Sequence, residues 1–400
     1  MTADPHRDLA VLAQDPRFGG GSRSLVEAFC LAARELGRSP HVYYVSRAGG
    51  TSLLPPRVAV APRPERHGSL EGTAVPSFLP ELDAVNQLVS GERVSRTLRQ
   101  ARSLWLVAGG APFGWGALRS GRPYACWLAT GAASEWASRQ ALLPRSRRLA
   151  LGMNKPVLRR VERSVLRGAA AVYGISPASR RTLAGAAGLP QADVGVLPVP
   201  VDLERYAPEP DELWRERLDR PLILFVGRSA DPRKNLGLLL AAFPAVRACH
   251  PEARLRIVGE PPPPPVLAAA GPGVEIAGRV DDVAAELRSA ALLVLPSLQE
   301  GFGIVAAEAL ACGVPVLTTP CGGPEELVRE SDGGRVLVGF SPEELAEEAG
   351  TLLADRETLT TMRRRGREYV EREHSPARLR DLLDDAFRRL DEAGGPPTPC

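Results

Sequence analysis

The sequence predicts an α/β protein built from two doubly wound, Rossmann-like domains. Three observations carry that expectation. The 400 residues are two to three domains' worth of chain, and 44% of them are hydrophobic, ample for two cores. Short apolar runs alternate with helical patterns along most of the length, as a parallel sheet with crossover helices requires. Each half also has a glycine-rich loop between an apolar run and a helix start, at Gly19–Gly21 and at Gly301–Gly303.

Leu9 to Ala13 is the first expected strand. After the loop with Gly20 and Gly21 comes a helical pattern from Ser24 to Leu36, stopped by Gly37, and a strand over His41 to Val45. Glycines there would let a ligand approach the backbone at the helix start; the plainer reading is a tight turn. The loop is not a G-x-G-x-x-G, and no acidic residue closes the second strand, which argues against a nicotinamide cofactor. Further strands are expected over Arg57–Ala61, Leu104–Val107, Tyr124–Ala129 and Ala169–Gly174. Leu82–Gln100 has a helical pattern, and residues 62–80 read as an irregular loop. Strand ends of a doubly wound sheet point at the ligand. Thr130, Glu135 and Trp136 are therefore acceptor-side candidates, against packing for Trp136 and solvation for Glu135. Arg145 to Arg167 carries eight basic residues and one acidic, Glu162. Leu158, Val161, Val165 and Leu166 share one helical face there, and Pro156 fits a first turn. Such a segment suits peripheral contact with an anionic membrane, or is a solvated arginine face over a core stripe.

Val194 to Asp202 reads as a proline-stiffened linker, and the domain boundary is placed there. The expected domains are 1–200, 201–375, and a final segment, 376–400, whose helix from Pro376 is capped by Ser375. In the second half, Leu222–Val226 is a strand followed by Gly227-Arg228 and then Lys234-Asn235. Leu255–Val258 ends at Gly259, and Val274–Ala277 is followed by Arg279 and Val280. Pro261 to Pro265 reads as a rigid spacer, and Asp282 as a helix cap. Ala291–Leu295 is a strand, Pro296–Gly303 a loop and Ile304–Cys312 a helix stopped by Gly313. Gly301, Phe302, Gly303 and Ile304 thus form a glycine loop feeding a helix start, where backbone N–H groups and the helix dipole suit an anionic phosphate. Glu300 sits at the mouth and Glu308 about a turn inside. Phosphate would repel both carboxylates, so sugar hydroxyls are their expected partners. The alternative is a βα turn with two solvated glutamates.

Composition removes several classes. A formal charge of +3 gives no bulk attraction to nucleic acid. The six cysteines form no C-x-x-C pair and read as reduced thiols of a cytoplasmic protein, with no metal site expected. Met1 to Asp8 is polar, so no signal peptide is expected, and no apolar run approaches the roughly 20 residues of a membrane span.

The run Pro296-Ser297-Leu298-Gln299-Glu300-Gly301-Phe302-Gly303, then Glu308-Ala309-Leu310-Ala311-Cys312-Gly313-Val314-Pro315, closely resembles the E-x7-E signature of family 4 glycosyltransferases. Gly227-Arg228 with Lys234-Asn235 resembles that family's diphosphate-gripping element, and Gly19–Gly21 its first glycine loop. The resemblance implies the GT-B fold, with the two domains facing across a cleft. It implies transfer of a sugar, with retention at the anomeric carbon, from a nucleoside-diphosphate-sugar to a hydroxyl acceptor: a lipid, a polysaccharide or a secondary metabolite. The donor is a co-substrate, and no cofactor is implied. Arg228 and Lys234 would hold the diphosphate, Glu300 the sugar hydroxyls and Glu308 the ribose. Gly20, Gly21, Gly227, Gly259, Arg279, Val280 and the Gly301–Ile304 backbone would line the donor. The sequence has no Asp-x-Asp, the usual metal–diphosphate handle of GT-A enzymes, so no metal is expected. A sugar-nucleotide epimerase on the same scaffold, or a catalytically inactive sugar-nucleotide-binding protein, is the alternative.

Overall fold

The computed structural model describes residues 8–14, 21–47, 63–67, 70–77, 94–131, 145–267 and 270–394. The chain divides into two units, Met1–Val199 with Leu379–Cys400, and Pro200–Arg378.

The first unit contains β1 (Leu9–Ala13), β2 (Pro40–Arg47), β3 (Arg63–His67), β4 (Leu70–Ser77), β5 (Ser103–Ala108), β6 (Ala125–Leu128), β7 (Ala171–Gly174) and β8 (Val194–Val196). They form one sheet in the order β3-β4-β2-β1-β5-β6-β7-β8. All pairs are parallel except β3 with β4. Every residue of β1, β5 and β6 is buried. A parallel strand covered on both faces must be apolar throughout, which is why these strands read as unbroken hydrophobic runs. The helix Gly21–Glu35 turns Leu25, Val26, Phe29, Cys30 and Ala33 to the sheet, a stripe at helical spacing. Phe29 packs on Trp105 at 5.0 Å and on Phe387 at 6.0 Å between ring centroids. Phe387 lies on the terminal helix, Pro376–Gly394, whose Leu379, Leu383, Phe387 and Leu390 are all buried. Each such side chain contributes about 1.5–3 kcal/mol by leaving water, enough to seat this helix on the first unit. Arg38 lies over the Phe387 ring at 5.0 Å and pairs with Asp391 at 2.6 Å.

Two expectations for this unit are corrected. Residues 63–67 and 70–77 are not an irregular loop: β3 and β4 pair antiparallel at the sheet edge. An edge strand tolerates proline and charge, so Arg63, Pro64, Glu65 and Arg66 need no apolar pattern. The basic helix runs unbroken over Arg145–Gly168, so Pro156 lies inside it rather than in its first turn. Its Leu158, Val161, Val165 and Leu166 are at most 5% exposed, and Val161, Val165 and Leu166 belong to the first unit's own core. That stripe is therefore not available to a membrane. The expected strand Arg57–Ala61 lies outside the described residues, as does most of the expected helix Leu82–Gln100, of which residues 94–98 are helical.

The second unit contains β9 (Leu222–Arg228), β10 (Arg254–Glu260), β11 (Val274–Gly278), β12 (Leu292–Leu295), β13 (Val316–Thr318) and β14 (Gly334–Val336). Its sheet is parallel throughout, in the order β11-β10-β9-β12-β13-β14. Ile223, Phe225, Leu239, Phe243, Ile257, Leu292 and Val294 belong to one buried cluster between the sheet and its helices. Asp282 Oδ1 accepts from the N–H groups of Ala284 and Ala285, capping Val283–Ser289 as its sequence predicts. Of the five prolines, Pro264 and Pro265 open a short helix, Pro264–Leu267, rather than extending a spacer. Among the described residues no helix is long and apolar enough to cross a membrane.

Candidate functional site

Strand order against chain order locates the site in each sheet. In the second unit the chain steps outward from β9 to β10 to β11, then returns to lay β12 on the other side of β9. A doubly wound sheet binds its ligand beyond the carboxyl ends of the strands at such a reversal. The loops leaving β9 and β12 are those that carry Lys234 and Glu300.

The structure brings these two residues together. The Lys234 ammonium pairs with the Glu300 carboxylate, and both side chains are mostly buried, at 17% and 15% exposure. Ser297, fully buried, donates from Oγ to Glu300 Oε1 at 3.0 Å. Leu298 N donates to Arg233 O at 2.7 Å, tying one loop to the other. Arg228 ends β9 with its side chain 56% exposed, and its guanidinium lies 3.3 Å from Asp231. Asp231 organises this loop. Its carboxylate accepts from Arg233 N, Nε and Nη2 at 3.1, 3.0 and 2.7 Å. Burial would push the Asp231 carboxyl up, but the Arg233 contacts outweigh it and hold it below its ordinary value.

Glycines set the floor. Gly259 pairs with Gly227 in register, has φ +127°, and a Cβ on it would stand 2.0 Å from Gly227 O. No side chain fits there. Gly227 in turn lies against the Lys234 stem, whose Cε would be 3.6 Å from an added Cβ. Gly303 begins the helix Ile304–Ala311 with φ +74°, and a Cβ there would strike Pro324 at 2.4 Å. Glu300 N donates to Cys321 O at 2.8 Å and Gly323 N to Glu300 O at 3.1 Å, so the two glycine turns of this edge brace each other. Phe302 is 5% exposed and stacks near His374 at 5.1 Å, which leaves its backbone rather than its ring for a ligand.

Glu308, in the second turn of that helix, lies near Tyr206. Burial pushes the Glu308 carboxyl up, while the Tyr206 hydroxyl and the Arg205 charge pull it partly back. Arg279 and Val280 follow β11; Arg279 is 77% exposed and pairs with Glu260 at 2.7 Å, apart from the Lys234–Glu300 pair.

In the first unit the reversal falls between β1 and β5. Gly21 is the first, exposed residue of its helix. Gly109, after β5, is close enough to Ser22 Oγ and Gln14 Oε1 that a Cβ would meet them at 3.2 and 3.3 Å. Thr130 N donates to Gly109 O at 3.1 Å, so Thr130 stands beside this turn. Gly20, Glu135 and Trp136 lie outside the described residues. Sequence reasoning missed Tyr206, Ser297 and Asp231. Asp231, before Pro232, carried a capping signal; a tyrosine or serine whose partner is remote in sequence carries none. Among the described residues no group of three or more His, Cys, Asp or Glu side chains is arranged to hold a metal.

The family described as glycosyl transferases group 1 matches residues 220–355, the strands and loops of the candidate site. A GDP-mannose-dependent alpha-(1-6)-phosphatidylinositol monomannoside mannosyltransferase of Mycobacterium tuberculosis is 33% identical over 259 residues, 58% of this chain and 67% of that protein. Its namesake from Mycolicibacterium smegmatis is 32% identical over 235 residues, 54% of this chain and 61% of that protein, so the match spans about three fifths to two thirds of these relatives. Among solved structures, sucrose-phosphate synthase from Thermosynechococcus elongatus superposes with a TM-score of 0.76 at 21% identity, covering 97% of this chain and all of that one. The fold is GT-B, as the resemblance implies. With the sequence match centred on the loops that build the site, the chain belongs to the group 1 glycosyl transferases.

Proposed function

We propose that the protein is a retaining, family 4 glycosyltransferase that moves a sugar from a nucleoside-diphosphate-sugar to a hydroxyl acceptor. The observation that carries this reading is the Lys234–Glu300 pair at the sheet reversal, beside the helix start at Ile304. A cation and a carboxylate half-shielded from water, with free backbone N–H groups next to them, suit a ligand with both phosphates and hydroxyls. In this reading the donor diphosphate takes Lys234, Arg228 and the Gly301–Ile304 backbone. Glu300, released from Lys234, accepts from sugar hydroxyls, and Glu308 accepts from the ribose. As the bond from the anomeric carbon to phosphate oxygen breaks, the leaving diphosphate gains charge that fixed cations stabilise. The acceptor oxygen bonds to that carbon on the same face, and its proton passes to the leaving phosphate. Fixed cations at the diphosphate, and a sequence without Asp-x-Asp, support catalysis without a divalent metal. Free, mostly buried thiols fit a cytoplasmic setting. Membrane contact, if the basic helix makes one, would be electrostatic only, because its apolar stripe is in the core.

The test is turnover of labelled nucleotide sugars, beginning with GDP-mannose because the relatives' names contain it, with lipid and soluble acceptors. The product anomer is read by NMR. Retention, with activity unchanged by a chelator, is expected. An inverted product, or activity abolished by chelator and restored by Mg²⁺, contradicts the reading.

A further inference from the structure

Glu300 is fixed at its backbone before its side chain is considered. Its N–H donates to Cys321 O at 2.8 Å, its carbonyl accepts from Gly323 N at 3.1 Å, and it forms a parallel bridge with Gly322. The chain leading to it is held as firmly. Thr319 Oγ1 donates to Ser297 O, and Thr318 Oγ1 to Leu295 O at 3.1 Å, and Ser297, Thr318 and Thr319 are all buried. Only the carboxylate remains to be oriented. Ser297 Oγ donates to it at 3.0 Å, and the Lys234 ammonium donates to it as well. Both contacts fall on one oxygen, Oε1; among the described residues none donates to Oε2. The serine hydroxyl is not needed to cap the loop, because Leu298 N and Glu300 N are bonded to Arg233 O and Cys321 O. An alanine would fill the same space, and a buried hydroxyl costs free energy unless it is bonded. The aim of this hydroxyl at a carboxylate is the part that packing does not explain.

We propose that Ser297 is a positioning residue for the donor sugar: its hydroxyl holds Glu300 Oε1 and so presents Oε2 to a sugar hydroxyl. This rests on the reading of Glu300 as the acceptor for the donor's sugar. In that reading Lys234 turns to the diphosphate when the donor arrives. A cation engaged by phosphates no longer fixes the carboxylate, and Ser297 is the donor that stays. An ionised carboxylate only accepts, so a fixed donor on one oxygen sets where the other points. A hydrogen bond to a charged acceptor is among the stronger ones, and the burial of Ser297 keeps water from replacing it. Without it the carboxylate would follow Lys234 toward the phosphates, away from the ring. Diphosphate binding itself would change little, because the serine bonds the carboxylate and not the cations.

The experiment compares the full-length wild type with Ser297→Ala, Ser297→Cys and Glu300→Gln. Calorimetry titrates GDP and UDP, and turnover of GDP-mannose and UDP-glucose is followed by release of the diphosphate. Ser297→Ala keeps the volume and removes the donor; Ser297→Cys keeps a weaker donor. Ser297→Ala should lower kcat roughly tenfold, the scale of one charge-assisted hydrogen bond. It should bind the free diphosphate within about twofold of wild type, because the lost contact acts on the sugar. Ser297→Cys should fall between the two. Singly deoxygenated forms of the donor sugar then locate the effect: the one that lacks the hydroxyl accepted by Oε2 should be turned over equally by wild type and Ser297→Ala. Free diphosphate binding also shows that each variant is folded; where Ser297→Ala is not, Ser297→Cys carries the test. Equal weakening of diphosphate and donor, with every deoxygenated form still sensitive, would make Ser297 merely structural and overturn the proposal. Wild-type kcat in Ser297→Ala with loss in Glu300→Gln would also overturn it, while leaving the reading of Glu300 in place. Wild-type kcat in Glu300→Gln, or no turnover of either donor by the wild type, would remove the reading beneath it.

Discussion

At the scale of single residues, the proposed reading gives the two glutamates of one loop and helix different tasks. Glu300 lies where β12 opens toward the ligand, held by Lys234 and Ser297. Glu308 lies in the helix that follows, near Tyr206 and Arg205. A contact to a reacting ring can strengthen in the transition state, whereas a contact to an unreacting ribose is uniform binding. Glu300→Gln is therefore expected to lower kcat strongly and leave free nucleoside diphosphate binding nearly intact. Glu308→Gln is expected to weaken that binding and raise the donor KM, with a smaller loss of kcat. Each removes an acceptor at about 1–3 kcal/mol. Steady-state kinetics with calorimetry on both variants check it; reversed behaviour would exchange the two assignments. The residues of this site were legible in unequal measure. Glu300 and Glu308 stand in a fixed local pattern, and Lys234 is one of two lysines in an arginine-rich chain. Ser297 was quoted only as part of a motif, because what matters is the direction of its hydroxyl. Tyr206 lies near Glu308, remote from it in sequence, and nothing local marks it.

At the scale of elements, β9 and β12 were legible because burial makes Leu222–Phe225 and Leu292–Leu295 apolar without interruption, whereas β13 and β14 are three residues each and carry no such run. What was not legible follows from half-solvation and from tertiary override. The β3–β4 hairpin hides in polar residues because an edge strand needs no apolar alternation. Pro156 looks like a helix start, yet the helix continues through it from Arg145, its second half held by Val161, Val165 and Leu166 in the core. Gly259, expected at the end of its strand, is the last but one residue of β10, pressed on Gly227 O. Gly259→Ala should therefore destabilise the protein by about 1–3 kcal/mol from backbone strain alone, with more from the clash. It should also displace the β9 end that carries Arg228. Thermal unfolding and nucleotide affinity should both fall. An unchanged melting temperature would show that the strand ends relax more easily than their spacing implies.

At the scale of the whole molecule, two units with mainly parallel sheets each place glycine turns at the reversal of their strand order. The second is the unit whose loops carry paired charge as well as glycine. The family match, residues 220–355, falls within that second unit. The central claim is that Arg228 and Lys234 provide the affinity for the donor's diphosphate. Calorimetric titration of a nucleoside diphosphate into the wild type, Arg228→Ala and Lys234→Ala tests it most directly. Each substitution is expected to lose about 1.5–3 kcal/mol, the range for a hydrogen bond to a charged group, or roughly ten- to 150-fold in affinity. Lys234→Ala should lose more, because it also leaves Glu300 facing the phosphates without its partner. Wild-type affinity in both variants would contradict the account.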